Sequence, residues 1–168
     1  MICEKYKKGI RGFVRLSLFH NLQYVYWYRR YQKIMALYIA RIRIWKLSRK
    51  FGLEISTKAK IGKGLYLGHP YNITVREEVI LRENVNLYKG CTIGKTNRGN
   101  AESPYVGNNV FVGINATIVG RINIGDDVLI APNSYVNFDV SAHSIVIGNP
   151  AIIHPKENAT YGYVNYKA

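Results

Sequence analysis

The sequence predicts a mainly β protein, a parallel β-helix preceded by a basic α-helical segment, and two observations carry that prediction. An aliphatic or near-aliphatic residue recurs at every sixth position through Ile55, Ile61, Leu67, Ile73, Val79, Val85 and Cys91. The pattern restarts at Val106 and continues through Val112, Ile118, Ile124, Ile130 and Val136. An amphipathic helix repeats every 3.6 residues and a strand every 2, so a sustained period of six marks a repeat whose turns stack strand on strand. The second observation is charge. Of the net +14, residues 1–50 hold 13 Lys and Arg against the single acid Glu4, which leaves the repeat region nearly neutral.

The helical segment comes first. Tyr24, Trp27, Tyr28, Tyr31, Ile34, Met35, Tyr38, Ile42 and Trp45 fall at i, i+3 or i+4 spacing, with no Pro or Gly between residues 20 and 50. Gly52 is placed to stop that helix. Ile10, Phe13 and Val14 suggest a further short helix, interrupted by Gly9 and Gly12. Residues 51–157 form the repeat domain, in which Gly often follows the aliphatic position, as in Ile61-Gly62, Val112-Gly113 and Ile124-Gly125. Such corners need either a positive φ or a close backbone approach. Cys91 and Val106 are 15 residues apart, not a multiple of six, so a polar loop is inserted at about residues 94–105. Residues 158–168 are a C-terminal tail.

Composition narrows the chemistry. With 168 residues, 48% hydrophobic and 20% charged, the chain suits one globular domain. Cys3 and Cys91 have no metal-ligand spacing and make no disulfide framework, which fits a reducing, cytoplasmic setting and predicts no metal. The longest uncharged run in the N-terminal segment, Leu16 to Tyr28, is too short and too polar to span a bilayer. Gly94-Lys95-Thr96 resembles the end of a phosphate-binding loop, but the motif wants Gly where Lys89 stands, so nucleotide hydrolysis is rejected. Cys91 lies on the inward register and reads as a small core residue.

Three stretches, Phe51 to His69, Leu87 to Thr96, and Val146-Ile147-Gly148-Asn149-Pro150-Ala151, resemble the serine acetyltransferase branch of the hexapeptide acyltransferases. The resemblance covers about residues 51–157. It implies a left-handed β-helix of triangular, 18-residue coils, a homotrimer with active sites between neighbouring subunits, and acetyl-CoA as donor.

An alcohol is a poor nucleophile at neutral pH, so acyl transfer from a thioester needs a base that titrates near neutrality, usually His. His69 follows the Gly68 corner, and its place in the resembling stretch makes it the candidate general base. A carboxylate that fixes the tautomer of such a base improves it. In the family that carboxylate is an Asp 15 residues before the His, and here the position holds Glu54. The resemblance further implies a coenzyme A groove lined by Gly94, Lys95, Gly113, Ile114, Ala131 and Pro132, with Lys156 for the phosphates.

The acceptor is read from departures. Serine acetyltransferases place Asp immediately before the catalytic His and an Arg-His pair before the Pro that ends the inserted loop. This chain has Gly68 and Glu102-Ser103 there. A missing charge-assisted partner costs roughly 1.5–3 kcal/mol, which points away from a free amino acid. The expected acceptor is therefore a neutral hydroxyl, a sugar or lipid-linked glycan of the capsule or O-antigen type, with Tyr66, Tyr71, Tyr88, Tyr105 and Ser103 near it; serine is the alternative, and a non-catalytic interaction protein the second. Residues 1–50 are expected either to hold the protein peripherally on an anionic cytoplasmic membrane face or to pack their apolar stripe against the β-helix or its trimer mates, and no nucleic-acid motif is present.

Overall fold

The computed structural model describes residues 19–33, 38–96, 102–164 and 167–168. Two helices, α1 (His20–Lys33) and α2 (Tyr38–Phe51), precede fifteen short strands. Sheet A stacks β1 (Glu54–Ile55), β4 (Thr74–Val75), β7 (Thr92–Gly94), β10 (Thr117–Val119) and β13 (Tyr135–Val136). Sheet B stacks β2 (Lys60–Ile61), β5 (Ile80–Leu81), β8 (Tyr105–Val106) and β11 (Asn123–Ile124). Sheet C stacks β3 (Tyr66–Gly68), β6 (Asn86–Tyr88), β9 (Phe111–Val112), β12 (Val128–Ile130) and β14 (Ser144–Gly148), with β15 (Ala151–Pro155) returning antiparallel on β14. Each turn visits A, B and C in order, which makes the three-sided left-handed β-helix the sequence predicts.

The interior is filled by vertical rows. Ile55, Val75, Ile93, Ile118 and Val136 stack beneath sheet A, and Leu67, Leu87, Val112, Ile130 and Val146 beneath sheet C. All ten are buried. A second interior row runs two residues earlier in each repeat and includes Leu53, Ile73, Cys91 and Ala116. At each such position full burial is worth roughly 1.5–3 kcal/mol for a Val, Leu or Ile, so the rows carry most of the stability.

The register expected across residues 55–91 is corrected here. Ile55 stands over Val75, not Ile73, because the corner after β3 has two more residues than the corner after β6 on the same edge. The period of six continues through that corner only because it passes from the first interior row, at Leu67, to the second, at Ile73. The corner glycines are also resolved. A Cβ on Gly62, Gly107, Gly113 or Gly125 would lie 2.4–2.6 Å from an atom of the coil above, so these glycines permit close stacking. Positive φ falls instead on Asn72, Asn84, Asn109, Asn115, Asp127 and Asn133, residue types that tolerate it.

Within the helical segment expected over residues 20–50, the described residues form α1 and α2. Residues 34–37 between them, and the short helix expected around Ile10, lie outside the described residues. Gly52, at φ 65°, ends α2 as predicted. Helix α1 lies across the N-terminal end of the solenoid, where the carbonyls on the underside of the first coil have no strand beneath them. Its side chains serve all three sides of the triangle. The Tyr24 hydroxyl donates to the carbonyl of Ile55, and the Tyr28 hydroxyl to those of Ser56 (2.7 Å) and Ala59 (3.3 Å). The Arg29 guanidinium donates to the carbonyls of Ile61 and Gly62, and Asn21 Nδ2 to that of Leu67. Tyr24 and Tyr28 are themselves buried, so the aromatic stripe of α1 serves as the lid of the core.

Candidate active site

His69 sits at the lengthened corner between sheets C and A. Its backbone is in the left-handed region, at φ 47°, and its imidazole is exposed. The corner is held from below: the Asn72 amide donates to the carbonyl of Phe51, and the Tyr71 ring packs edge-on to Phe51 (5.5 Å) and His20 (5.3 Å). His20 stacks on Phe51 at 3.9 Å, and burial lowers its pKa, so it is a neutral packing group. Tyr71, expected near the acceptor, thus has its ring engaged by the helical segment.

Beside His69 stands the Tyr88 ring, with centroids 6.3 Å apart. Tyr88 leans over Gly68: a Cβ there would lie 2.7–2.8 Å from three of its ring atoms. Phe111 (4.7 Å) and Tyr66 (6.4 Å) flank the same ring, and Tyr163 from the C-terminal segment closes on Phe111 (5.0 Å). Tyr66 and Tyr88 therefore belong to a half-buried aromatic stack on the outer face of sheet C.

The register places the other candidates. Gly68 pairs with Tyr88, and Leu87, Val112 and Ile130 are aligned, so His69, Lys89, Ile114 and Pro132 succeed one another along the corner between sheets C and A, with Gly113 and Ala131 beside them. Stacked strands are about 4.8 Å apart, which sets His69 and Pro132 about 14 Å apart along the axis. Gly113 and Ala131–Pro132 touch closely; a Cβ on Gly113 would fall 2.6 Å from the Pro132 nitrogen. Gly94 and Lys95 lie elsewhere, at the corner between sheets A and B, where Arg76 covers Gly94. Ser103 is at that corner too, its hydroxyl donating to the carbonyl of Glu77 (2.8 Å), and Glu102 pairs with Arg121 (2.9 Å). Lys156 follows β15 on the side of sheet C, where it lines a cavity of about 470 Å³ with Leu129, Ile145, Tyr161 and Tyr163.

The expected partnership between Glu54 and His69 is not made within one chain. Glu54 is on β1, lining a cavity of about 430 Å³ on sheet A with Ser48, Ser56, Arg76 and Glu77. Among the described residues no ion pair joins it to His69. Cys91 is in the core as expected, where burial pushes its thiol up to about 12, far from a nucleophile's range. Among the described residues no cluster of His, Cys, Asp and Glu suits a metal ion, and no helix is long and apolar enough to cross a membrane.

The sequence did not single out a second histidine centre. Asp127 accepts hydrogen bonds from the Ala159 and Thr160 amides, from the Thr160 hydroxyl (2.6 Å) and from His143 Nδ1 (3.0 Å), and Glu157 lies 3.4 Å from the same nitrogen. The group clasps the C-terminal segment onto sheet C. The spacing of Asp127, His143 and Thr160 carries no local pattern, so only the coil geometry brings them together.

Residues 103–137 match the family model described as bacterial transferase hexapeptide (six repeats). The chain is 35% identical over 127 residues to a serine acetyltransferase of Staphylococcus aureus, a match covering 74% of this chain and 60% of that protein. The crystal structure of the Neisseria gonorrhoeae serine acetyltransferase in complex with serine superposes with a TM-score of 0.74 at 29% identity, covering 85% of this chain and 60% of that one. That of the Brucella abortus serine acetyltransferase in complex with coenzyme A gives 0.73 at 27%, covering 82% and 57%. The chain thus spans about 60% of the length of these relatives. They overturn the expectation of a capsule or O-antigen polysaccharide acetyltransferase with a sugar or lipid-linked glycan acceptor. The structure supplies a physical reason. Of the tyrosines expected beside the acceptor, Tyr66 and Tyr88 are packed into the stack with Gly68 and Phe111, Tyr71 is 44% exposed but held edge-on by Phe51 and His20, and Tyr105 is exposed on sheet B, so the four form no single open face for a pyranose.

Proposed function

We propose that this hexapeptide-repeat chain, whose relatives are serine acetyltransferases, moves an acetyl group from acetyl-CoA to the hydroxyl of L-serine. The observation that carries the reading is His69: an exposed imidazole, held by a left-handed corner at the head of a row of close-packed corners. His69 takes the proton from the acceptor hydroxyl as its oxygen attacks the thioester carbonyl, and then delivers that proton to the departing thiolate. The row Ile114 and Pro132, with Gly113 beside it, gives an apolar path along which the pantetheine arm lies, passing Lys89 to end near His69.

A convex corner makes no pocket by itself, and binding sites are concave. The site therefore forms between copies of the chain. In a homotrimer the corner carrying His69 faces a neighbour's corner carrying Gly94, Lys95 and Ser103, and Glu54 or a neighbour's carboxylate orients the base. Lys156 would serve the phosphates of coenzyme A.

The test is thiol release from acetyl-CoA with L-serine, alongside the oligomeric mass. His69→Ala should keep the mass and lose about 100-fold or more in kcat, the usual scale for a general base. Undiminished turnover in that variant removes His69 from the mechanism. Glu54→Gln should cost less.

A second reading concerns peripheral attachment. Helix α2 carries Arg41, Arg43, Lys46, Arg49 and Lys50 with no acid, and Tyr38, Ile39, Ile42 and Trp45 are all more than half exposed. Cations interleaved with exposed apolar groups suit an anionic bilayer surface. Because α1 is used as a lid, the attachment narrows to α2. Sedimentation with anionic, but not neutral, vesicles supports it, and Ile42→Ser with Trp45→Ser should abolish it; equal pelleting of that variant sinks the idea.

A further inference from the structure

The Gly68–Tyr88 pair bears on what the acceptor must carry. We infer that Tyr88 fills the volume a side chain at position 68 would need and so forms the wall of the acceptor pocket beside His69, leaving the acceptor's ammonium group unrecognised there. This rests on the acetyltransferase reading and widens its acceptor: the substrate class becomes small hydroxy acids, whether or not they bear an amino group.

The ring cannot step aside freely. It is flanked by Phe111 at 4.7 Å and Tyr66 at 6.4 Å, and Phe111 is backed in turn by Tyr163. Gly68 shows no left-handed backbone, so the glycine is demanded by the neighbour and not by its own φ. Tyr88 thereby excludes a carboxylate from the position immediately before the base. Among the described residues no carboxylate pairs with His69, and the charged residue in register with it one coil along is Lys89, an exposed cation. On this chain's side of the site, the aromatic wall and the neighbouring cation offer a counter-charge to an acceptor's carboxylate and none to its ammonium, and the carboxylate that orients the base is engaged by the imidazole.

Discrimination by a missing charge partner is large where the site is built for the group. A site that hydrogen-bonds a substrate NH or OH rejects the analogue lacking it by about 10⁴ to 10⁵, whereas a site without such partners discriminates by only about tenfold to a hundredfold. The experiment compares L-serine with 3-hydroxypropanoate, which keeps the hydroxyl and carboxylate and lacks the ammonium, in thiol release from acetyl-CoA by the full chain. The expected ratio of kcat/KM values lies within about tenfold of unity, the low end of that range. Gly68→Asp combined with Tyr88→Ala, which restores a carboxylate and the room for it, should shift the ratio at least tenfold toward serine. The ratio does not depend on how much enzyme is active, so a merely structural role for Tyr88 leaves it unmoved. A wild-type preference for serine above a thousandfold overturns the inference by itself, even if the double variant fails to fold, and so does an active double variant with the wild-type ratio. Thiol release with neither acceptor overturns the acetyltransferase reading as well.

Discussion

Tyr28 tests whether α1 is a structural lid. Its ring is 1% exposed, and its hydroxyl donates to two carbonyls of the first coil that no strand serves. Burial raises the phenol's pKa well above its ordinary value, so it remains a donor wherever the protein is folded. Tyr28→Phe keeps the packing and removes the hydroxyl's bonds, but the Ser56 carbonyl keeps the Ala59 amide as a donor, so the loss should cost about 0.5–1.5 kcal/mol. Tyr28→Ala adds the loss of a buried aromatic ring and should cost about 3–5 kcal/mol in total. Urea unfolding at one fixed protein concentration reads both values, and fixing the concentration matters because assembly adds to apparent stability. If Tyr28→Ala costs under about 1 kcal/mol, the range of an ordinary surface substitution, α1 is not a lid and the basic segment has another purpose.

Three further outcomes follow from the solenoid and its clasp. Gly113→Val should destabilise by about 1–3 kcal/mol or more and weaken coenzyme A binding, because the new Cβ meets the Pro132 backbone; isothermal titration and thermal melts check both. Asp127→Ala should release the C-terminal segment, seen as faster proteolytic clipping near Thr160 with the β-helix intact. The clasp should also have a pH window. His143 has its pKa raised by the hydrogen bond to Asp127 and then by Glu157, so its contribution is complete below its unfolded value of 6.5 and fades as pH rises through the folded one. Burial alone would raise the pKa of Asp127, but hydrogen bonds from Thr160, His143 and Ala159 outweigh it and the net shift is downward. Its contribution is present above 3.8 and fades as pH falls through the folded value. Clipping that is slowest at alkaline pH contradicts the His143 assignment.

The coils and the inward place of Cys91 were legible because a six-residue period is local and redundant, whereas the middle of the expected loop, residues 97–101, lies outside the described residues. The two-residue lengthening at His69 was not, since Ile73 belongs to the other interior row and keeps the count intact. The catalytic candidate was legible for the same local reason, standing in a stretch of resembling sequence. What escaped was contact between coils. Gly68 read as a lost recognition residue, although its cause lies 20 residues on, in the ring of Tyr88. Likewise the stripe with Tyr24 and Tyr28 suited a membrane surface or packing on the β-helix equally, since nothing in the helix's own spacing reveals that bare carbonyls wait beneath it or that Arg29 joins the tyrosines in meeting them.

That lid has a consequence beyond stability. A parallel solenoid has two unlike ends, so one molecule's last coil fits beneath another's first, and an uncovered end would let copies add head to tail without closure. Such growth gives filaments whose length is set only by concentration. Here the donors of α1 occupy the acceptors that an incoming strand would use, and at the far end β15 runs antiparallel along β14, a direction a parallel coil does not extend. Along sheet C the two ends are thus mutually incompatible, which disfavours head-to-tail growth and leaves the faces and corners for association that closes after a fixed number of copies.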